Sequence, residues 1–463
     1  MSVKRIGLLA LILAFGGSIE VLHRVRGHLD FGPWGVRVIG GRFFGPHFAF
    51  EEKRDEATAA VLEIKNSFGA VRTTPSEDGA IHVTLRKVVF LPDEAKARTL
   101  AERIHLVAER DGETLRIRTN REDVASEDTQ TGFETHLEVT LPKDARVVVR
   151  SEHGPVTVAR ARSADVEASF DSIEMEDVAE AVRIKSHHGQ TTVRRAGASV
   201  EIEARHGGVH VEDVEGSLTV DAEHGDVEAH RVGPLTARLT HGDIEARTVR
   251  GELTVRGSHS GVDASQVAGR ADIETSFDAI SLDDVTGEAR VRSEHGKVRL
   301  VSIKGPVSVE NKFGSLELED VQGPVEFALE NGGANVKDAR HGVSGRCIRG
   351  SVELDGFGGP VTLEVEGGGT RLHPAAALSD AIKVTSRRGG VELVVPPGSR
   401  FSLDARAVRG QVEADGIDGI TVEHGRRGEP STGRGNVGGG GETIAIETEG
   451  GSVRLETGSP AGD

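Results

Sequence analysis

The amino-acid sequence predicts an all-β protein, a single-stranded parallel β-solenoid made of 18-residue coils. Three observations predict it. Gly is abundant at 60 residues, while aromatics are limited to 15 Phe, one Trp and no Tyr, a composition typical of short strands joined by tight turns. A two-residue marker recurs at steps of 17 or 18 residues. Between markers, apolar and polar residues alternate, which indicates strands with one face in and one face out.

The first residue of each marker is His, Phe or Asn, and the second is in most cases Gly or Asp. The first residues form the predicted structural ladder: His153, Phe170, His188, His206, His224, His241, His259, Phe277, His295, Phe313 and Asn331. Arg349-Gly350 and Gly367-Gly368 continue the same spacing. A fixed period of this kind is the signature of a repeat architecture.

Each coil is predicted to contain two strand segments and two corners. In one coil Val209 and Val211 alternate, and the step of three residues to Val214 predicts a bend. Gly216 and its equivalents predict the second corner, where Pro often follows. Because 18 residues cannot bury their own apolar side, the coils must stack on one another. Parallel crossovers favour a right-handed solenoid. The alternative, a left-handed hexad solenoid, fits less well because a step of three does not match a six-residue unit.

The alternation predicts that the ladder residues point inward, where the small residue two positions earlier leaves room for a ring. The functional alternative is a row of metal ligands or proton carriers. Phe170, Phe277 and Phe313 occupy the same position and cannot bind a metal. A position that accepts His, Phe or Asn selects shape, so we predict a packing column and no metal site.

No catalytic residue and no cofactor site are predicted. The sequence lacks a Gly-x-Ser-x-Gly motif, and the acids that recur at the bend, as at Glu212-Asp213, indicate a solvated corner. A glycosidase or lyase site would require an acid cluster on one outer face of three adjacent coils. The glycines of residues 435–441 lack the Lys-Ser/Thr ending of a phosphate loop. The single Cys347 cannot form an internal disulfide.

The first residues resemble an export signal. Lys4 and Arg5 precede the apolar run of residues 6–15, which predicts a signal peptide or signal anchor, with membrane contact through residues 6–22 and the solenoid outside the cytoplasm. A buried N-terminal helix is the alternative. Residues 27–50 hold six of the 16 Phe and Trp residues, so they predict either a membrane-interface segment or a linker that packs on the first coil.

The remaining segments are predicted to cap the solenoid. A helix is expected from Leu91 to about Ala108, with strands on both sides of it, because Pro92 and the acids that follow are typical of a helix start. The predicted organisation is 1–22 signal or anchor, 23–59 Gly/Phe-rich linker, 60–146 N-terminal cap, 147–369 solenoid repeats, and 370–463 terminal coils and C-terminal cap with a flexible Gly-rich loop at 425–441.

The segment from Leu62 to Val71, the helix after Leu91, the strand that ends before Pro142 and the Gly-x-Val coils resemble a bacterial family named "putative adhesins". These are cell-envelope β-solenoids catalogued largely as a domain of unknown function. The resemblance covers about residues 60–455. It implies export, envelope attachment and adhesion, and it carries no catalytic residues to transfer.

The sequence therefore predicts a non-catalytic, envelope-anchored structural or adhesin-like module, periplasmic or at the surface. Its partner would be envelope polysaccharide or another surface protein. A net charge of −18, from 74 acids and 56 bases, lacks the basic footprint of nucleic-acid binding. Two alternatives stay open, a polysaccharide-active β-helix enzyme and a self-stacking envelope scaffold, although caps at both ends argue against the scaffold.

Overall fold

The computed structural model describes residues 37–39, 42–128, 131–425 and 429–461. The chain divides into two compact units, an N-terminal unit (Met1–Gly197) and a C-terminal unit (Ala198–Asp463). Both are built from parallel β-coils, so the predicted all-β solenoid fold is confirmed. The predicted signal or anchor at residues 6–22 lies outside the described residues. Neither of the two described helices has the length and apolar content needed to cross a bilayer.

The N-terminal unit contains strands and two short helices. In chain order they are β1 (Arg37–Ile39), β2 (Arg42–Phe44), β3 (Phe48–Glu56), β4 (Val61–Phe68), β5 (Val71–Pro75), β6 (Ile81–Val89), α1 (Glu94–Ala101), β7 (Leu106–Asp111), β8 (Thr114–Thr119), α2 (Arg121–Glu127), β9 (Phe133–Leu141), β10 (Arg146–His153), β11 (Val156–Ala159), β12 (Ser163–Phe170), β13 (Ile173–Val178), β14 (Val182–His188) and β15 (Thr191–Ala196).

The coils of this unit do not stack in chain order. Strand β4 pairs in parallel with β8 on one side and with β10 on the other. On the second sheet, β5 lies in the same way between β9 and β11. The coil β4–β5 is therefore inserted between two coils that come later in the sequence. Antiparallel strands β7, β6 and β3 close this end of the unit.

The C-terminal unit continues the alternation of two strands per coil. Its strands are β16 (Val200–His206), β17 (Val209–Val214), β18 (Leu218–His224), β19 (Val227–Val232), β20 (Leu235–His241), β21 (Ile244–Val249), β22 (Leu253–Gly257), β23 (Val262–Val267), β24 (Ala271–Thr275), β25 (Ile280–Val285), β26 (Ala289–His295), β27 (Val298–Ile303), β28 (Val307–Phe313), β29 (Leu316–Val321), β30 (Val325–Asn331), β31 (Ala334–Ala339), β32 (Val343–Ile348), β33 (Val352–Phe357), β34 (Val361–Glu366), β35 (Thr370–Pro374), β36 (Ile382–Arg387), β37 (Val391–Val395), β38 (Phe401–Ala407), β39 (Val412–Asp415), β40 (Ile420–Glu423), β41 (Ser431–Val437), β42 (Thr443–Thr448) and β43 (Val453–Thr457).

The last coil of the chain is also inserted out of order. Strand β42 lies in parallel between β36 and β38, and β43 lies between β37 and β39. Strand β41 then pairs with β38 and β40 pairs with β41, both antiparallel, and they cap this end.

The predicted bend between the two strand segments is a residue in the left-handed backbone region. Asp213, one residue before the buried Val214, has φ +58°. The equivalent residues have φ between +51° and +58°: Arg160, Asp177, Arg195, Arg231, Thr248, Gln266, Asp284, Ser302, Asp320 and Asp338. This conformation is uncommon for residues other than Gly, and Asp tolerates it better than most. One such residue per coil turns the chain while the apolar residues on both sides stay buried.

Two predicted elements differ from the structure. Helix α1 begins at Glu94, after the predicted start at Leu91, with Asp93 as its N-cap accepting from Lys96 N at 3.2 Å, and it ends at Ala101. Residues 106–108 belong to β7 instead, because pairing with β8 satisfies their backbone groups. The stretch predicted as a flexible Gly-rich loop contains β41, which pairs with β38 and β40. Its glycines permit close approach, since a Cβ on Gly433 would lie 2.8 Å from Val412 Cγ1.

Candidate functional site

The ladder rings stack in columns along one corner of the coils, as the spacing predicts. In the N-terminal unit, Phe68, His153, Phe170 and His188 follow one another with ring centroids 4.8–5.1 Å apart. In the C-terminal unit the centroid distances are 4.5–5.1 Å along the column that contains His206, His224, His241, His259, Phe277, His295 and Phe313. Asn331 follows Phe313 in register, and its side chain accepts a hydrogen bond from Arg349 Nε at 2.6 Å.

The predicted inward orientation of these rings is wrong. Phe170, Phe277 and Phe313 are 45%, 38% and 46% exposed, and they are the large exposed apolar side chains of the described chain. The residue after the ring has positive φ at most corners, as Gly296 does at +112°, and at the His259 corner the ring residue itself has φ +57°, so the chain turns at the marker. The ring therefore projects from the outside of the corner, where no opposite sheet covers it.

The inward position beneath the rings is occupied by mostly small residues, and the contacts that its polar members make with the turns were not revealed by the alternation alone. Ser293 Oγ donates to the carbonyl of His295 at 2.9 Å, and Asn311 Nδ2 donates to that of Gly296 at 2.9 Å. Asn66 makes the same contact with Gly69 at 2.8 Å. These buried side chains satisfy carbonyl groups of the turns, which would otherwise be costly to bury.

Cys347 belongs to this buried row. Its Sγ lies 3.3 Å from the carbonyl oxygen of Gly332, and the side chain is fully buried. Burial raises the pKa of the Cys347 thiol to about 11, so the thiol stays protonated at neutral pH. A protonated, inaccessible thiol is not a nucleophile.

The N-terminal column ends on a side chain that sequence reasoning missed. The Arg121 guanidinium lies 4.7 Å from the Phe68 ring centroid and 4.9 Å from that of Phe133. Burial lowers the pKa of Arg121 from its ordinary value. Phe68 could have been predicted as a member of the column, because the sequence Asn66-Ser67-Phe68-Gly69 has the same turn pattern as the later markers. The Arg121 contact has no sequence signal, since it depends on helix α2.

The stacked geometry is unsuited to sharing a metal ion between neighbouring rings. Zinc binds His nitrogens at about 2.0–2.1 Å, so two nitrogens on one ion are at most about 4 Å apart. The His224 and His241 rings are nearly parallel, 8° apart, with centroids separated by 5.0 Å, which keeps equivalent atoms farther apart than that limit. Among the described residues, no group of three or more His, Cys, Asp or Glu side chains could hold a metal.

We predict that the column selects ring shape, which can be tested at Phe277, whose ring stacks on His259 at 4.5 Å and on His295 at 4.7 Å. Phe277→Ala should lower the free energy of unfolding by about 1–2 kcal/mol. It removes two ring contacts, each worth about 0.5–1.5 kcal/mol, and their exposure favours the lower part of that range. Phe277→His should change it by less than about 0.5 kcal/mol. Urea unfolding followed by circular dichroism measures both variants. Equal losses for Ala and His would contradict a role in stacking.

The acids at the bend pair with arginines of the next coil. Arg195 bonds both Glu176 and Asp177, and Arg231 does the same with Glu212 and with Asp213, the latter at 2.7 Å. The hydrogen bond from Arg195 holds the pKa of Asp177 below its ordinary value. The acids at these two bends are partly exposed to solvent, as predicted, and they also form ion pairs between coils.

An acidic groove of about 480 Å³ lies on the second sheet of the C-terminal unit. Its acids come from four successive coils: Asp226, Glu228, Asp243, Glu245, Asp263 and Asp278. This is the arrangement that the enzyme hypothesis required. However, the Asp226 carboxylate accepts from Asp243 N at 2.9 Å, and the Asp243 carboxylate accepts from Gly261 N at 2.8 Å. Both carboxylates thus act as caps for the backbone of the next coil.

A larger groove of about 740 Å³, here called the outer groove, lies on the first sheet of the same unit. Its lining residues are Gly257, Glu274, Thr275, Ser276, Arg292, Ser293, Glu294, Glu310, Asn311, Lys312, Ala328, Leu329, Glu330, Arg346 and Ile348. This volume is within the usual range for ligand sites.

One family model matches part of the chain. Residues 61–268 match the family model described as Toastrack DUF4097. The resemblance inferred from the sequence, to an adhesin-type domain of unknown function, is confirmed for this segment. The Toastrack segment includes the column residues from Phe68 to His259, whereas all of the outer groove except Gly257 lies beyond it.

Solved structures with similarity to the chain include a "putative cell adhesion protein" from Clostridium sporogenes, 8% identical, covering 89% of this chain and 100% of that chain with a TM-score of 0.16. A "putative adhesin" from Bacteroides fragilis is 12% identical and covers 60% of this chain and 97% of that chain, with a TM-score of 0.20. At these TM-scores we draw no conclusion about function from either. No curated protein matches the chain.

Proposed function

We propose that this protein is a non-catalytic β-solenoid of the cell envelope that binds a surface or envelope component through the outer faces of its coils. The observation that carries the proposal is the register of the outward side chains. Along the first sheet, Arg256, Glu274, Arg292 and Glu310 stand directly beside one another on four successive strands. Such rows present a flat, repeated polar surface, a form that suits an extended partner.

The chemistry of the described residues supports binding over catalysis. The ring column stacks on itself, Cys347 is buried and protonated, and carboxylates of the acidic groove cap backbone amides. The ring column, Cys347, Asp226 and Asp243 thus already have structural roles. The export-like residues 4–22 support an envelope location, with residues 6–22 as the membrane contact.

Purified full-length protein should bind intact bacterial cells and isolated envelope polysaccharide saturably, without releasing reducing ends. Heat-denatured protein is the control for nonspecific adsorption. The polysaccharide and whole-cell arms separate the two proposed partners, because a surface protein would be lost after protease treatment of the cells. Absence of saturable binding to both would contradict adhesion, and release of reducing ends would favour the polysaccharide-active enzyme instead.

A further inference from the structure

The outer groove lies where the repeat of outward residues is broken. One row of outward positions on the first sheet runs across nine strands in strict register and is called here the charged row: Asp221, Arg238, Arg256, Glu274, Arg292, Glu310, Ala328, Arg346 and Glu364. Ala328 is the one member without a charge. Its methyl group stands between two long side chains, so it creates a notch in the surface.

A second break lies beside the first. The neighbouring outward row contains Glu294, Lys312, Glu330 and Glu366, but Ile348 stands between the last two. Ile348 is half-buried. Ala328 and Ile348 therefore form a small apolar floor on a sheet face that is otherwise polar, and both line the outer groove.

The rim of the groove carries charges of both signs, which nearly cancel. Four acids (Glu274, Glu294, Glu310, Glu330) and three bases (Arg292, Lys312, Arg346) line it, so the formal charge is 3 − 4 = −1. Lys312 pairs with Glu294 at 2.6 Å, and Arg292 pairs with Glu310 at 3.5 Å. Within the part of the chain that the structure describes, no ion pair is found for the exposed Arg346.

The balance of charge and shape defines the ligand. An anionic polymer would gain little from a rim with a formal charge of −1, and a wholly apolar ligand would remove water from charged rim groups without replacing their hydrogen bonds. A neutral sugar ring has C–H groups on its faces, which suit the apolar floor, and hydroxyls on its edge, which can donate to the carboxylates and accept from Arg346. The groove also extends along the stacking direction of the coils, which suits several units of a chain.

We propose that the outer groove binds a segment of a neutral polysaccharide, with a sugar ring seated over Ala328 and Ile348 and hydrogen-bonded by Arg346, Glu310 and Glu330. This inference rests on the proposed binding function and names its ligand class and site. Most of the groove lies outside the Toastrack segment, so the site is a feature of this chain's later coils.

The test uses the full-length chain and isothermal titration with four probes: neutral hexasaccharides of β-1,4-glucose, β-1,4-N-acetylglucosamine and mannose, and the charged polymer polygalacturonate. Ala328→Arg restores the charged row and fills the notch, and Arg346→Ala removes the hydrogen-bond donor. The matched controls are Thr219→Arg, which adds the same side chain to an outward position on β18, and Arg238→Ala, which removes an arginine from the same row outside the groove.

At least one neutral hexasaccharide should bind the native protein, and both groove variants should weaken it about tenfold or more, while both controls stay within about twofold. Circular dichroism confirms that each variant is folded. Equal weakening by groove and control variants, undiminished binding by both groove variants, or binding of polygalacturonate alone would overturn the assignment. Cell binding by the native protein without any hexasaccharide binding would overturn this site while leaving the proposed function standing.

Discussion

Gly314→Ala should lower the free energy of unfolding by about 3 kcal/mol or more, although it adds a single methyl group. Gly314 has φ +141°, and a Cβ built on it would lie 1.9 Å from the carbonyl oxygen of Gly296 in the preceding coil. The strand stacking leaves no room, so the turn would have to move away from its neighbour. Urea unfolding followed by circular dichroism measures the loss, and hydrogen exchange of the flanking coils shows whether it is local, as expected for a repeat protein.

The matched control is Gly369→Ala. Gly369 is exposed, does not need a left-handed backbone, and a Cβ there would approach only Gly390 O, at 3.9 Å. This variant should differ from the native protein by less than about 0.5 kcal/mol. If the two variants were equally destabilised, the close contact between successive corners would not be the cause.

Phe327→Ala should cost about 3–5 kcal/mol, the range for removing a buried aromatic side chain. The Phe327 ring is 2% exposed and fills the space that Gly345 leaves open in the next coil, where a Cβ would lie 2.1 Å from the ring. Gly345→Ala alone should cost about 1–3 kcal/mol through overpacking. The two side chains are therefore a complementary large and small pair.

The double variant distinguishes this pair from two independent sites. The methyl group added by Gly345→Ala would occupy part of the cavity left by Phe327→Ala, so the double variant should be more stable than the sum of the single losses predicts. Chemical unfolding of the four proteins in the cycle gives the coupling energy. Strict additivity would show that the two residues do not share one space.

Local features of the coils were open to prediction because they follow from short-range spacing. The alternation Val209-x-Val211 and the step to Val214 indicate strands and a bend, and the structure has both. The recurrence of His153, His188 and their equivalents indicates a stacked column, and the rings stack. Each of these depends on residues within one 18-residue period.

Only part of the candidate site could be predicted from the sequence. The marker rings were predicted to point inward because the alternation of the strand was extended to the residue at which the chain turns. The turn directs the ring outward instead, and Phe313 is 46% exposed. The notch at Ala328 appears only when strands are laid side by side, since its significance comes from Glu310 and Arg346 on adjacent coils.

The sequence by itself determined the unit of the fold, a coil with two strands, a bend and a marker corner. The order in which the coils stack was decided by the tertiary structure alone. Strand β4 lies between β8 and β10, and β42 lies between β36 and β38. Every coil presents the same apolar face and the same unpaired backbone groups, so its own residues do not specify which coil lies beside it. That order is fixed by strand pairs between segments that are distant in the sequence, such as β4 with β8 and β42 with β36.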